Sequence, residues 1–263
     1  MPDSTSLLVV SCDAYRDLWE PFFTLLFRYW PDCPFPIYLG SNHATYPDRR
    51  VAQLAIGEDR DWSSNLIKML GSISSPGVLL LQEDFLIDRP VQTKKVTQLI
   101  EYANSKSAAC LRLMPIPGPD EPCSGQPELG VIRKGAAYRV SLQAAWWRKE
   151  SLVAIARAGE SPWQFENSGS RRSDALPAPF LSLREGIGFP LDYYTTAVFR
   201  GYWEPGAVAL CRRENIPVDL RRRSIMPLRM RAERSLRRMG VPDRLARMLA
   251  SPLRLGSSAG GKS

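Results

Sequence analysis

Val78-Leu-Leu-Leu-Gln-Glu-Asp84 is an apolar run that passes without a break into two carboxylates. A short run of this kind, bounded by polar residues, is read as a strand covered on both faces. Its carboxyl end then presents Gln82, Glu83 and Asp84 together. Leu7-Leu-Val-Val10 is a second such run and ends in Ser11-Cys12-Asp13; Pro36-Ile-Tyr-Leu39 is a third and ends in Gly40-Ser-Asn42. Ala55-Ile56 adds a minor strand.

Between these runs the apolar spacing turns helical. Leu18, Trp19, Phe22, Phe23, Leu25, Leu26 and Tyr29 mark a helix that Pro31 ends, and Leu66, Ile67, Met69 and Leu70 mark a helix from Trp62 to Ile73. Val91 to Asn104 predicts another, with its basic face in water. Strands alternating with helices imply an α/β fold, a mixed, mainly parallel sheet flanked by helices. In such sheets ligands bind outside the carboxyl ends of the strands. Asp13, Asn42, Glu83 and Asp84 all fall on that edge.

The middle of the chain is less regular. Ala108 to Leu113 reads as a strand, and five prolines between Pro115 and Pro127 make an exposed loop. Val140 to Trp146 reads as a strand or a helix start, and Lys149 to Arg157 as a helix. Ser161-Pro162 caps a short segment, Asn167 to Pro179 is polar and Pro-rich, and Ala197 to Gly201 reads as an aromatic-rich helix and turn.

Composition excludes several classes. Of 263 residues, 44% are hydrophobic and 24% charged, the balance of a globular chain rather than a disordered one. The single histidine, His43, excludes His-rich metal sites. Five widely spaced cysteines without a C-x-x-C pair fit a reducing compartment better than a disulfide framework. Neither a signal peptide nor a membrane-spanning run is apparent, so a cytoplasmic location is expected. The net charge of +8 is unevenly placed: residues 221–263 carry +10 and residues 1–220 carry −2. This predicts a body, 1–220, and an Arg-rich extension, 221–263, with Leu and Met interleaved among the arginines. A helix stops at Gly240, another opens at Pro242, and the Gly/Ser-rich end is disordered.

Five groups of residues are candidates for chemistry. Glu83-Asp84 sits between two apolar runs, a costly place for paired acids unless a cation neutralises them; a solvated turn is the plainer alternative. Asp13 suits a base or ribose hydroxyl and Tyr15 suits stacking, or Asp13 caps the helix that follows. Glu166, between aromatics in Ser161-Pro-Trp-Gln-Phe-Glu166, fits a general base with a raised pKa, or an exposed residue on a capped helical turn. Gln143 and Trp147, with Trp146, suit a sugar pocket or an ordinary buried aromatic strand. The basic extension suits anionic lipid, with nucleic acid as the competing polyanion. Aromatics stop at Trp203, so base stacking has no support and no nucleic-acid partner is expected.

Several stretches together carry a resemblance. Cys12-Asp13-Ala-Tyr15-Arg-Asp-Leu-Trp19-Glu-Pro-Phe-Phe23, Tyr29-Trp-Pro-Asp-Cys-Pro-Phe-Pro-Ile-Tyr38, Trp62-Ser63 and Leu79 to Phe85 form one group. Tyr138-Arg-Val-Ser-Leu-Gln143 and Ser161-Pro-Trp163 to Glu166 form the other. Across residues 7–206 the chain resembles bacterial glycosyltransferases of the GT-A type, associated with capsule, lipopolysaccharide and other surface-polysaccharide genes. The resemblance implies a Rossmann-like GT-A fold, a nucleotide-sugar donor, a divalent metal (manganese or magnesium) and a hydroxyl acceptor, here a glycan or lipid-linked one. Asp84 stands where the family's Asp-x-Asp motif binds metal, with Glu83 beside it, although this chain reads Gln-Glu-Asp. Glu166 stands where an inverting enzyme keeps its base. Asp13, Tyr15, Asn42, Gln143 and Trp147 are then expected to contact the donor. The basic extension is expected to hold the protein at the inner membrane. A GT-A-like binding protein without catalysis is the competing expectation, with a polyanion-binding protein behind it.

Overall fold

A computed structural model describes residues 4–242, 244, 245 and 250 of the chain. The first strand, β1 (Thr5–Val10), is buried at all six positions because it has a parallel neighbour on each side. Those neighbours are β2 (Ile37–Ser41), with Leu7 opposite Ile37, and β4 (Gly77–Gln82), with Leu7 opposite Leu79. β3 (Val51–Ala55) extends the parallel set beyond β2.

The remaining strands are β5 (Leu86–Ile87), β6 (Cys110–Arg112), β7 (Glu121–Pro122), β8 (Leu129–Val131), β9 (Ala145–Arg148), β10 (Phe180–Leu183), β11 (Tyr193–Tyr194), β12 (Val198–Phe199) and β13 (Tyr202–Trp203). The main sheet runs β3-β2-β1-β4-β9-β6-β10-β8-β7. β9 is inserted antiparallel between β4 and β6, so the sheet is mixed but mainly parallel in direction. Two small antiparallel pairs, β5 with β11 and β12 with β13, lie outside it.

Seven helices complete the described fold: α1 (Trp19–Tyr29), α2 (Trp62–Gly71), α3 (Thr93–Ser105), α4 (Lys149–Ile155), α5 (Pro162–Ser173), α6 (Pro205–Arg213) and α7 (Leu228–Arg238). Successive side chains of a strand point to opposite faces. Leu7, Val9, Leu79, Leu81, Leu111 and Trp146 therefore pack in one core with α1, α3 and α6. Leu8, Val10, Leu80, Cys110 and Trp147 pack in the other with α2, α4 and α5. This is the mainly parallel, helix-flanked, Rossmann-like arrangement expected from the strand–helix alternation.

Two local expectations give way. The short segment capped by Ser161-Pro162 runs on as a helix to Ser173, and beyond Phe165 small residues rather than an apolar stripe line its inner face. A Cβ on Gly169 would lie 3.0 Å from Ile155 Cγ2, and Ser170 Oγ accepts from Val140 N–H at 3.0 Å. The segment around Arg200 is a hairpin, β12 to β13, instead of a helix. Arg200 (φ 50°) and Gly201 (φ 82°) supply the two left-handed residues of a type I′ turn.

Packing on the body continues past residue 221, where the composition changes. Trp203 N–H donates to Ser224 O (2.9 Å) and Met226 N–H to Trp203 O (2.8 Å). Arg222 and Arg223 both pair with buried Asp17, at 3.3 and 3.0 Å. α7 follows, and Gly240, with φ 84°, succeeds it as expected. The expected helix after Pro242 and the disordered end fall largely or wholly outside the described residues. Among the described residues no helix is long and apolar enough to cross a membrane.

Candidate functional site

The carboxyl ends of β1 and β4 open into a cavity of about 540 Å³. Around it stand Tyr15, Glu83, Asp84, Gln143 and Glu166, which lie up to 151 residues apart in sequence. A smaller cavity, about 230 Å³, opens at the opposite edge near Phe35, Ile100 and Trp146, and Glu101 is its one acidic lining residue. Of these two cavities, the first gathers the acidic groups.

Glu83 and Asp84 form the centre of the turn after β4, closed by Phe85 N–H donating to Gln82 O at 3.1 Å. The turn is fixed from behind. Phe85 is buried and stacked on Tyr193 at 4.6 Å, and Ala197 N–H donates to Asp84 O at 3.0 Å. Glu83 is 8% exposed, and burial, then the neighbouring Asp84 charge, pushes its carboxyl well above the usual range. Burial also raises Asp84, against a hydrogen bond from Val198 N–H. Two arginines are felt by the pair, Arg223 by Glu83 and Arg234 by Asp84. Arg223 also pairs with Asp17, and Arg234 with Glu204. The plainer alternative of a solvated acidic turn is therefore not what this chain builds.

Glu166 reaches the cavity from α5. Ser161 and Gln164 form a reciprocal capping box at the start of that helix, with Ser161 Oγ accepting from Gln164 N–H at 3.3 Å. The cap fixes the helix phase: Phe165 turns fully inward, Trp163 is 66% exposed, and Glu166 is half-buried between them. Its Oε1 accepts from Leu142 N–H at 2.7 Å. Burial raises its pKa despite that bond and one from Ser141. A carboxylate in this state is a competent proton acceptor near neutral pH.

Gln143 is oriented from the protein side. Ala144 N–H donates to Tyr193 Oη (2.9 Å), and Tyr193 O–H donates to Gln143 Oε1 (2.9 Å). The amide oxygen is thus committed to Tyr193. Tyr15 follows β1 on a short 3₁₀ turn, and the Arg223 guanidinium covers its ring at 4.8 Å. Burial, then the Glu83 charge, raises its phenol.

Three expected donor contacts do not stand at the cavity. Asp13 neither caps the following helix nor faces the opening. Its carboxylate accepts from the backbone N–H groups of Asn42, His43 and Ala44 at 2.9 to 3.0 Å. Asn42 returns the contact, Oδ1 accepting from Asp13 N–H at 3.0 Å, and its Nδ2 donates to Gly57 O at 3.1 Å. The two side chains clasp the β1 and β2 loops together. Trp147 is 1% exposed and packs edge-on to Phe180 at 5.9 Å, in the core on the α2 side of the sheet. Its neighbour Trp146 takes the opposite core by strand alternation, so neither ring reaches the cavity from β9.

The structure also brings forward residues that sequence analysis did not single out as binding groups: Asp59, Trp62, Asn65 and Thr195-Thr196. A signal for Trp62 and Asn65 existed. Asp61 caps α2, with Oδ1 accepting from Ser64 N–H at 2.8 Å, and this places Trp62 and Asn65 one turn apart on one helix face. Among the described residues no group of three or more His, Cys, Asp and Glu side chains is placed to hold a metal ion. Glu83 and Asp84 are a two-carboxylate set.

No protein-family model matches the chain, and no curated protein matches it. Solved structures do align with it. S. aureus TarS 1-349 aligns at TM-score 0.47 with 14% identity, over 73% of this chain and 60% of that one. The 2-C-methyl-D-erythritol 4-phosphate cytidylyltransferase of Thermus thermophilus aligns at 0.46 with 12% identity, over 80% and 97%. The UTP-bound UGPase of Acinetobacter baumannii aligns at 0.47 with 10% identity, over 73% and 87%. This chain spans about 60% of the TarS segment. With each of these TM-scores below 0.5, the functional reading rests on the site itself.

Proposed function

We propose that this chain is a GT-A-type glycosyltransferase that moves a sugar from a nucleotide-sugar to a hydroxyl acceptor, with inversion. One observation carries the proposal: a desolvated Glu83-Asp84 pair shares a cavity with the half-buried Glu166 carboxylate. Paired carboxylates whose pKa values stay raised although two arginines act on them suit a divalent ion. Manganese or magnesium is typically held by one or two carboxylates, with phosphate and water filling the remaining positions, so Asp84 and Glu83 fit as a donor set. Bound there, the ion would stabilise the charge of the departing nucleoside diphosphate.

The chain's own groups supply the rest. Glu166 takes the proton of the acceptor hydroxyl while that oxygen bonds to the anomeric carbon. The bond from that carbon to the diphosphate breaks in the same step, and the nucleoside diphosphate leaves with the electron pair. No covalent sugar on the protein is required. Gln143, held by Tyr193, and Tyr15 are positioned to contact the donor. Nucleotidyl transfer, the other chemistry among the aligned structures' names, would not use Glu166.

The full chain with manganese and UDP-, GDP-, CMP- and dTDP-sugars is expected to release the nucleoside di- or monophosphate of one donor. Release rises when a glycan or lipid-linked acceptor is supplied. Formation of a nucleoside triphosphate and sugar 1-phosphate when pyrophosphate is added in place of the acceptor, or no turnover of any donor, overturns the proposal.

The acceptor is proposed to be lipid-linked, in surface-polysaccharide assembly at the cytoplasmic face of the membrane. The support is the +10 charge of residues 221–263, together with Leu228 (76% exposed) and Met239 (69% exposed) among exposed arginines. Each basic residue near an anionic surface is worth about 1 kcal/mol and is screened by salt. The chain is expected to float with vesicles rich in phosphatidylglycerol at low salt and to be released at about 0.5 M salt. Failure to float at low salt contradicts this part of the proposal.

A further inference from the structure

Three residues lining the cavity hold a buried polar atom that meets no hydrogen-bond partner among the described residues: Trp62 Nε1, Asn65 Oδ1 and Gln82 Nε2. They come from two neighbouring elements, Trp62 and Asn65 from one face of α2 and Gln82 from the last position of β4. Buried polar atoms in native proteins are nearly always paired, so a cluster of unmet ones beside an opening points to a ligand.

Their chemistry is defined. The indole Nε1–H can only donate. Asn65 is not free to flip, because its Nδ2 donates to the Asp59 carboxylate at 2.6 Å and a carboxylate only accepts. Asn65 Oδ1 is therefore an acceptor, and it belongs to a side chain only 4% exposed. Gln82 presents an N–H. The set is two donors and one acceptor.

From this tally we infer that Trp62, Asn65 and Gln82 read the base of the bound nucleotide, and that the base is a pyrimidine. The inference rests on the cavity being a nucleotide-sugar site, as already proposed. The pairing edge of uracil, thymine or cytosine offers two acceptors and one donor, which complements this set in number. Uracil and thymine present two carbonyl acceptors flanking one N–H donor, and cytosine an amino donor beside two acceptors, so each pyrimidine matches the count. Guanine offers one acceptor and two donors, which leaves a protein donor unmet and sets a donor against a donor. Adenine's edge offers one of each and leaves one protein donor unmet. A site with a buried unmet donor rejects such a ligand strongly.

The test is calorimetric titration of the full chain with UDP, dTDP, GDP and ADP, each with manganese, on the native protein and on Trp62→Phe. The pyrimidine nucleotides are expected to bind about tenfold or more tighter than either purine nucleotide. Trp62→Phe keeps a ring against Phe165, 5.2 Å from Trp62, but removes the donor, so it narrows the ratio of pyrimidine to purine affinity. Its melting temperature, measured alongside, separates loss of a contact from loss of fold. Purine nucleotides binding as tightly as pyrimidine ones overturns the inference while leaving the nucleotide-sugar reading in place. An unchanged ratio in a folded Trp62→Phe overturns the role of Trp62. Binding of no nucleotide overturns both readings.

Discussion

Glu166→Gln is expected to slow sugar transfer by about 10²- to 10⁴-fold, the range for loss of a positioned general base. The amide keeps the shape of the side chain and can still accept from Leu142 N–H, the 2.7 Å bond that holds Oε1. Donor affinity and melting temperature should therefore change little. The pH profile is the sharper readout. The native base works only when ionised, and burial lifts its pKa above the ordinary glutamate value. Turnover of the native chain should thus rise with pH through a titration above the usual carboxylate range, and that limb should vanish in Glu166→Gln. A variant that retains native turnover, or keeps the limb, removes Glu166 from the mechanism.

Asp84→Asn is expected to abolish the manganese dependence of turnover and lower its rate by at least about 10³-fold, since the stabilisation supplied through that site is worth several kcal/mol. The same substitution should make the metal-free protein more stable. Desolvation and mutual repulsion raise the carboxyl pKa values of Glu83 and Asp84 above those of the unfolded chain. For an acid shifted upward, the unfolded state loses its proton first as pH rises, so stability falls between the ordinary carboxylate pKa and the raised one. Asp84→Asn removes one of the two charges. Its melting temperature without metal should exceed the native value at pH 8, and the gap should close below about pH 4, where carboxylates are protonated in both states. Lower stability than the native chain at pH 8 would show that the Asp84 charge is satisfied within the protein.

The strand ends were legible because buried parallel strands leave continuous apolar runs, as at Leu7–Val10 and Val78–Leu81. That is why Glu83 and Asp84 could be placed at the ligand edge from sequence alone. Asp13 and Asn42 lie on the same edge, but proximity did not decide their work. A carboxylate opposite three exposed backbone N–H groups is consumed by them, and only the loop conformation of residues 42–44 reveals those donors. Trp147 shows the other limit: in a strand buried on both faces, periodicity separates Trp146 from Trp147 but does not say that both faces are core. The length of α5 was hidden by its Gly-Ser inner face, and the hairpin at Arg200-Gly201 by its aromatic flanks. The basic segment was legible as charge alone; its attachment through Asp17 depends on a contact between residues 206 positions apart.

The central claim, that Glu83-Asp84 and the cavity beside it hold a nucleotide through a divalent cation, is tested most directly by titrating UDP into the full chain with manganese and again with EDTA. The account predicts saturable binding with manganese that weakens at least about tenfold with EDTA, and in Asp84→Asn only that weak affinity under either condition. Equal UDP affinity with manganese and EDTA, or native affinity retained in Asp84→Asn, would contradict it.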